Sequence, residues 1–115
     1  MEPELTGRLF TFSVNVIKLL KTIENSPEIK VIKYQLAKSA TSSGANYEEA
    51  QGAASKADFT NKVKISLKEM RESNYWLRIL KEVSPKNDPL EKCLLESEEL
   101  KKILGAICTK ASLNK

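Results

Sequence analysis

The sequence predicts an all-α protein, an antiparallel up-down-up-down four-helix bundle, on three observations. Apolar residues recur at steps of three and four in four long windows. Strand-like alternation is sustained nowhere. Clusters of cap and turn residues separate the windows at Asn25-Ser26-Pro27, Gly52-Ala53-Ala54-Ser55 and Ser84-Pro85-Lys86-Asn87-Asp88-Pro89. Short connections between long helices force neighbours to run antiparallel. Residues 1–115 are read as one domain, long enough for one core and too short for two.

The first window runs from about Glu4 to Glu24, with Leu9, Phe12, Val16, Leu19, Leu20 and Ile23 along one stripe. Ser26 then suits an N-cap, Pro27 the first helical position and Glu28 the positive end of the dipole. The second helix is expected from Pro27 to about Gly52, on the stripe Ile32, Leu36, Ala40, Ser43, Tyr47 and Ala50. Small residues in its C-terminal half let a neighbouring backbone come close. Ser55, with Asp58 three residues on, resembles a capping box that has Asp in place of Glu and opens the third helix. That helix spans about Lys56 to Val83 on Phe59, Val63, Leu67, Met70, Leu77 and Leu80. The fourth carries Cys93, Ser97, Leu100, Leu104, Ile107 and Ala111.

Composition bounds the function. There is no histidine, which removes the commonest general base and metal ligand and the Glu-x-x-His pairs of di-metal bundles. Cys93 and Cys108 share the fourth helix about 22 Å apart at helical rise, too far to bridge, and read as buried reduced thiols. No Gly-rich phosphate loop, Ser-His pair or Cys cluster occurs. No metal, cofactor, small-molecule substrate or membrane partner is expected. Charges interrupt each apolar run before membrane length. The start, Met1-Glu2-Pro3-Glu4, lacks a basic n-region, so the expected address is cytoplasmic. The net charge of +4 is unevenly spread. From Lys30 to Lys81 ten basic residues face five acidic ones, whereas Glu82 to Glu99 holds six acids against Lys86 and Lys92. A basic face and an acidic one follow.

Three constellations stand out. On the second helix Gln35, Ser39, Ser42, Asn46 and Glu49 form a polar line beside the apolar stripe. An interhelical hydrogen-bond network suits them better than a ligand or catalytic pair, because Asn46 and Glu49 have no base, nucleophile or metal partner. On the third helix Ile65, Trp76, Ile79 and Val83 make a second apolar flank, beside Glu69 and Glu72. That flank reads either as a subunit contact or as a wide core stripe. The opposite flank aligns Lys64, Lys68, Arg71, Tyr75 and Arg78 over about 21 Å. Cations so spaced can follow a phosphate backbone and Tyr75 can stack on an unpaired base, while an ordinary solvated face is the alternative.

The second and third helices also carry ordered motifs: Gln35-Leu36, Ala45-Asn46-Tyr47-Glu48-Glu49-Ala50-Gln51, Ser55-Lys56-Ala57-Asp58-Phe59, Ser66-Leu67-Lys68-Glu69-Met70-Arg71-Glu72 and Tyr75-Trp76-Leu77. In these the chain resembles the four-helix-bundle family first noticed as reading frames inside intervening sequences of bacterial 23S rRNA genes. Relatives of that family include the accessory variability determinant of diversity-generating retroelements. The resemblance implies an antiparallel bundle assembled as a homopentamer, without established enzymatic activity. It also implies, from the retroelement relatives, binding to nucleic acid and to a reverse transcriptase. The family's Asn and Glu of the second helix map onto Asn46 and Glu49, and its Phe after Lys-x-Asp onto Phe59. Ser43 and Tyr47 depart from more aliphatic residues, and Glu48 from a small or apolar one. The favoured expectation is a non-catalytic homo-oligomer that binds structured RNA along Lys64, Lys68, Arg71 and Arg78. A protein–protein adaptor without nucleic-acid binding is the alternative, and an enzyme using Glu49, Glu69 or Glu72 comes last.

Overall fold

The computed structural model describes residues 2–113, and side chains from residue 4 onward. Four α-helices follow in order: α1 (Glu2–Thr22), α2 (Pro27–Gln51), α3 (Lys56–Val83) and α4 (Asp88–Leu113). No strand occurs among the described residues. Each helix packs on its neighbour in sequence and α4 closes back on α1, so α1–α3 and α2–α4 lie across the diagonals. The bundle measures 46 × 23 × 19 Å. Its all-α, four-helix architecture is the one the periodicity predicts.

Side chains define most helix boundaries. Ser26 Oγ accepts from the Ile29 amide at 3.1 Å, with Pro27 inside the first turn. Ser55 Oγ accepts from the Asp58 amide at 3.1 Å, but Asp58 Oδ2 reaches the Ala54 amide at 3.2 Å, one residue before the position a capping box uses. Asn87 caps α4, its Oδ1 accepting from the Leu90 amide at 3.0 Å. Asp88 and Pro89 therefore belong to the helix and not to the break, Pro89 losing no hydrogen bond because first-turn amides lack intrahelical acceptors. α1 ends at Thr22, two residues before the expected Glu24.

The core runs the length of the bundle. Leu9, Phe12, Val16, Leu36, Tyr47, Val63, Met70, Leu77, Leu80, Leu100 and Leu104 are all at most 2% exposed. Ile32, Phe59 and Ile107, predicted in stripes, are only half-buried at its margins. The seam between α2 and α3 is built differently, from hydroxyls. Ser43 Oγ donates to the Ser66 carbonyl at 2.8 Å and Ser66 Oγ donates back to the Ser43 carbonyl at 2.7 Å. Ser39 and Ser73 share a hydroxyl–hydroxyl bond of 2.8 Å. All four serines are buried, so the two helices approach at side-chain sizes near alanine while each buried oxygen keeps a partner. Ser13 of α1 donates to the Ala40 carbonyl of α2 at 3.0 Å, and Gly44 lies against the Leu9 backbone beside it.

Candidate nucleic-acid interface

α3 sorts its residues by helical angle. Val63, Met70 and Leu77 point into the core, Ser66 and Ser73 towards α2, and Leu67 and Asn74 towards α4. The basic line lies outward on the α4 side. Lys64, Lys68, Arg71, Tyr75 and Arg78 are all exposed. Lys64, Lys68 and Arg71 enter no ion pair among the described residues. Lys64 and Arg71 reach the border with α4, where their charge opposes the upward push that burial gives the Cys108 thiol.

Arg78 is held differently. Its Nε donates to Asn74 Oδ1 at 3.0 Å, and its guanidinium lies 5.7 Å from the centre of the Tyr75 ring. Tyr75 in turn meets Trp76 edge-on, at 5.2 Å and 72°. Asn74, buried and absent from the sequence expectations, anchors this end. Its Nδ2 donates to Ser97 Oγ at 2.9 Å and to Glu98 Oε2 at 2.8 Å. That hydrogen bond, followed by the charges of Lys101 and Arg78, holds the Glu98 carboxyl below its ordinary pKa. The line therefore splits into an uncompensated half at Lys64, Lys68 and Arg71, and a mixed-charge half where Arg78, Lys101 and Glu98 meet. A groove of about 460 Å³ opens at the mixed end, lined by Tyr75, Arg78, Ile79, Val83, Leu94 and Glu98 among others.

The apolar flank is divided: Ile79 and Val83 line the groove with Tyr75 and Arg78, and Ile65 and Trp76 lie farther round the helix. Ile65 and Val83 are exposed at 39% and 60%, whereas Trp76 and Ile79 are half-buried. Trp76 Nε1 donates to Glu72 Oε2 at 3.1 Å, which explains the acidic neighbour as an indole partner. The wide-core alternative thus fits Trp76 and Ile79 in part and leaves Ile65 and Val83 uncovered.

The polar line of α2 needs correction as a network. Of Gln35, Ser39, Ser42, Asn46 and Glu49, only Ser39 makes a buried hydrogen bond across to α3. Asn46 Nδ2 donates to the Ser42 carbonyl and hydroxyl at 2.9 and 3.2 Å, within its own helix. Glu49 is exposed and pairs with Lys62 at 2.9 Å, and Gln35 makes no hydrogen bond among the described residues. The other crossing hydroxyls are Ser43, on the α2 stripe, and Ser66 and Ser73, beside the α3 stripe. The line is right at Ser39, and the rest of the ladder lies between it and the core stripe, where serine recurs at helical spacing on two adjacent helices.

Both thiols are free and buried, with Cys93 pushed up to about 11 by burial. Among the described residues no group of three His, Cys, Asp or Glu side chains can hold a metal ion. No helix among the described residues is long and apolar enough to cross a membrane.

The sequence profile of the 23S rRNA-intervening sequence protein family matches residues 4–106. The chain belongs to that family. A solved structure from Bacteroides thetaiotaomicron, described as a protein of unknown function from the S23 ribosomal protein family, is 35% identical over 90% of this chain and 97% of its own. Its backbone superposes with a TM-score of 0.81. No curated protein matches the chain.

Proposed function

We propose that this family member is a non-catalytic, cytoplasmic homo-oligomer, assembled as a pentamer, that binds structured RNA through α3. The observation that carries the reading is the run Lys64, Lys68 and Arg71: three cations on one outward face, exposed and without carboxylate partners. Elsewhere on this chain Lys62 pairs with Glu49 and Arg8 with Glu96. Cations left unpaired at this spacing match a phosphate backbone. Repetition of the line around a ring would add weak contacts through multivalency.

Filter binding tests the reading with wild type and a Lys64→Gln, Lys68→Gln, Arg71→Gln triple variant against a structured RNA at two salt concentrations. Wild-type affinity is expected to fall steeply with salt, and the variant to bind weakly while remaining folded and assembled. Equal binding by the variant, or no wild-type binding at low salt, overturns it.

A protein–protein adaptor is the second reading, favoured by Phe10, Val31 and Tyr34, which are 63%, 59% and 65% exposed on α1 and α2. It expects no RNA binding at physiological salt and no effect of the triple substitution.

A further inference from the structure

We propose that the groove between α3 and α4 at Tyr75, Arg78 and Glu98 docks a single unpaired guanine of the bound RNA. The inference rests on the nucleic-acid reading and adds the class of base.

Three chemistries converge on this groove. Tyr75 is 49% exposed, so ring surface remains open for a base to stack on. Arg78 is fixed through Nε on Asn74 and over the Tyr75 ring, and its terminal N–H groups have no partner among the described residues. They can reach a phosphate that continues from Arg71 and Lys68 along the same face. Glu98 supplies the third element. Its side chain is 42% exposed, and Asn74 fixes its orientation through Oε2 while Lys101 stands 3.6 Å from Oε1. Each carboxylate oxygen keeps a lone pair for a further donor.

An ionised carboxylate only accepts hydrogen bonds, so the base it selects must offer donors. Guanine presents two adjacent donors, the ring N1–H and the exocyclic N2 amine, at a spacing that a carboxylate accepts with both oxygens. Adenine and cytosine present one amine beside a ring nitrogen whose lone pair repels the carboxylate. Uracil sets its N3–H between two carbonyls. Ile79, Val83 and Leu94 give the groove an apolar part, and Lys81 and Glu82 also line it. The volume of about 460 Å³ is ample for one nucleotide and lies within the usual range for small-ligand sites.

Fluorescence anisotropy with labelled single-stranded RNA octamers tests this. One octamer is all uridine and three others carry a single central G, A or C, and proteins are wild type, Glu98→Gln and Tyr75→Ala, with folding checked by circular dichroism. Wild type should bind the G octamer about tenfold tighter than the uridine octamer, in line with one good bidentate base contact. Glu98→Gln should erase that preference while binding the uridine octamer at least as well, since a negative charge is removed. Tyr75→Ala should weaken all four. Equal binding of all octamers by wild type overturns the guanine site and leaves the nucleic-acid reading standing. An undiminished G preference in Glu98→Gln overturns it too. Binding of none at low salt removes both together.

Discussion

Asn74 on α3 donates through Nδ2 to Ser97 Oγ on α4 at 2.9 Å, placing one amide inside the seam between the helices. Its second Nδ2 hydrogen goes to Glu98 Oε2, and Oδ1 accepts from Arg78 Nε at 3.0 Å and Lys101 Nζ at 3.3 Å. All four hydrogen-bonding capacities of the amide are used at a residue 1% exposed. A slide of α3 along α4 by one turn would strip the amide of Ser97, Glu98 and Lys101 together. Asn74 thereby fixes the register of the seam as well as the groove behind Arg78.

Asn74→Ala is expected to lower stability by about 1–3 kcal/mol, the cost of leaving buried polar groups unpaired and a small void. Urea denaturation followed by circular dichroism measures it. Ser97→Ala should cost less, because Asn74 keeps its other three partners. An Asn74→Ala midpoint equal to wild type would show that the amide does not hold the seam.

Two helical glycines are opportunities for stabilisation. A Cβ at Gly105 would meet nothing within 4 Å, and one at Gly44 would rest 3.5 Å from the Leu9 carbonyl, an ordinary contact. Neither position has a positive φ. Gly105→Ala is therefore expected to raise stability by about 1 kcal/mol through helix propensity. Gly44→Ala should gain about 0.5–1 kcal/mol, and Gly44→Leu should lose stability by prising α1 from α2. Thermal melts of the three variants supply the ranking.

Glu98 makes stability depend on acid pH. Its folded-state pKa lies below the unfolded value, so unfolding takes up a proton in the window between the two. The contribution of the ionised carboxylate is complete at neutral pH and is lost as pH falls through the ordinary carboxylate range towards the folded pKa. Wild type should lose more stability than Glu98→Gln between pH 7 and pH 3 in parallel urea titrations. Equal losses would mean that the hydrogen bond from Asn74 stabilises the charged form no better than water does.

The architecture was legible because four stripes at helical spacing and three cap-bearing breaks agree with one another. Ser26, Pro27 and Ser55 could be placed to the residue, since each is a local signal whose chemistry acts within one turn. The α2–α3 ladder was half legible. Ser43 falls on an apolar stripe by spacing, yet its partner Ser66 is fixed only by the register of two antiparallel helices, which sequence spacing does not contain. Asn74 was missed for a related reason. It flanks the core stripe at Met70 and Leu77, where a polar residue reads as surface until α4 is laid over it. The exposed basic line was easier, because solvent-facing residues follow from one helix alone.

The last expectation concerns assembly. Ile65 and Val83 are exposed on α3 with half-buried Trp76 and Ile79, and Ile79 and Val83 also line the groove of Arg78 and Glu98. Exposed aliphatics around a tryptophan match the apolar centre of a subunit contact. Light scattering at micromolar concentration should give a multiple of the 12.9 kDa chain mass, and the pentameric proposal expects five. Trp76 is a poor probe, because its substitution also removes contacts to Tyr75 and Glu72 within the subunit. Ile65→Lys and Val83→Lys are better, since exposed positions tolerate substitution within about 0.5 kcal/mol of monomer stability. Placing both lysines in one protein would bury two unpaired charges at each contact, which an interface of this kind does not withstand. The double variant should therefore run as a folded monomer with an unchanged helical spectrum. RNA affinity is read on Ile65→Lys alone, because Val83 lines the groove proposed for the base. A monomeric Ile65→Lys should bind RNA more weakly although Lys64, Lys68 and Arg71 are intact. A monomeric wild type, or a double variant that assembles as before, assigns these residues to ordinary surface.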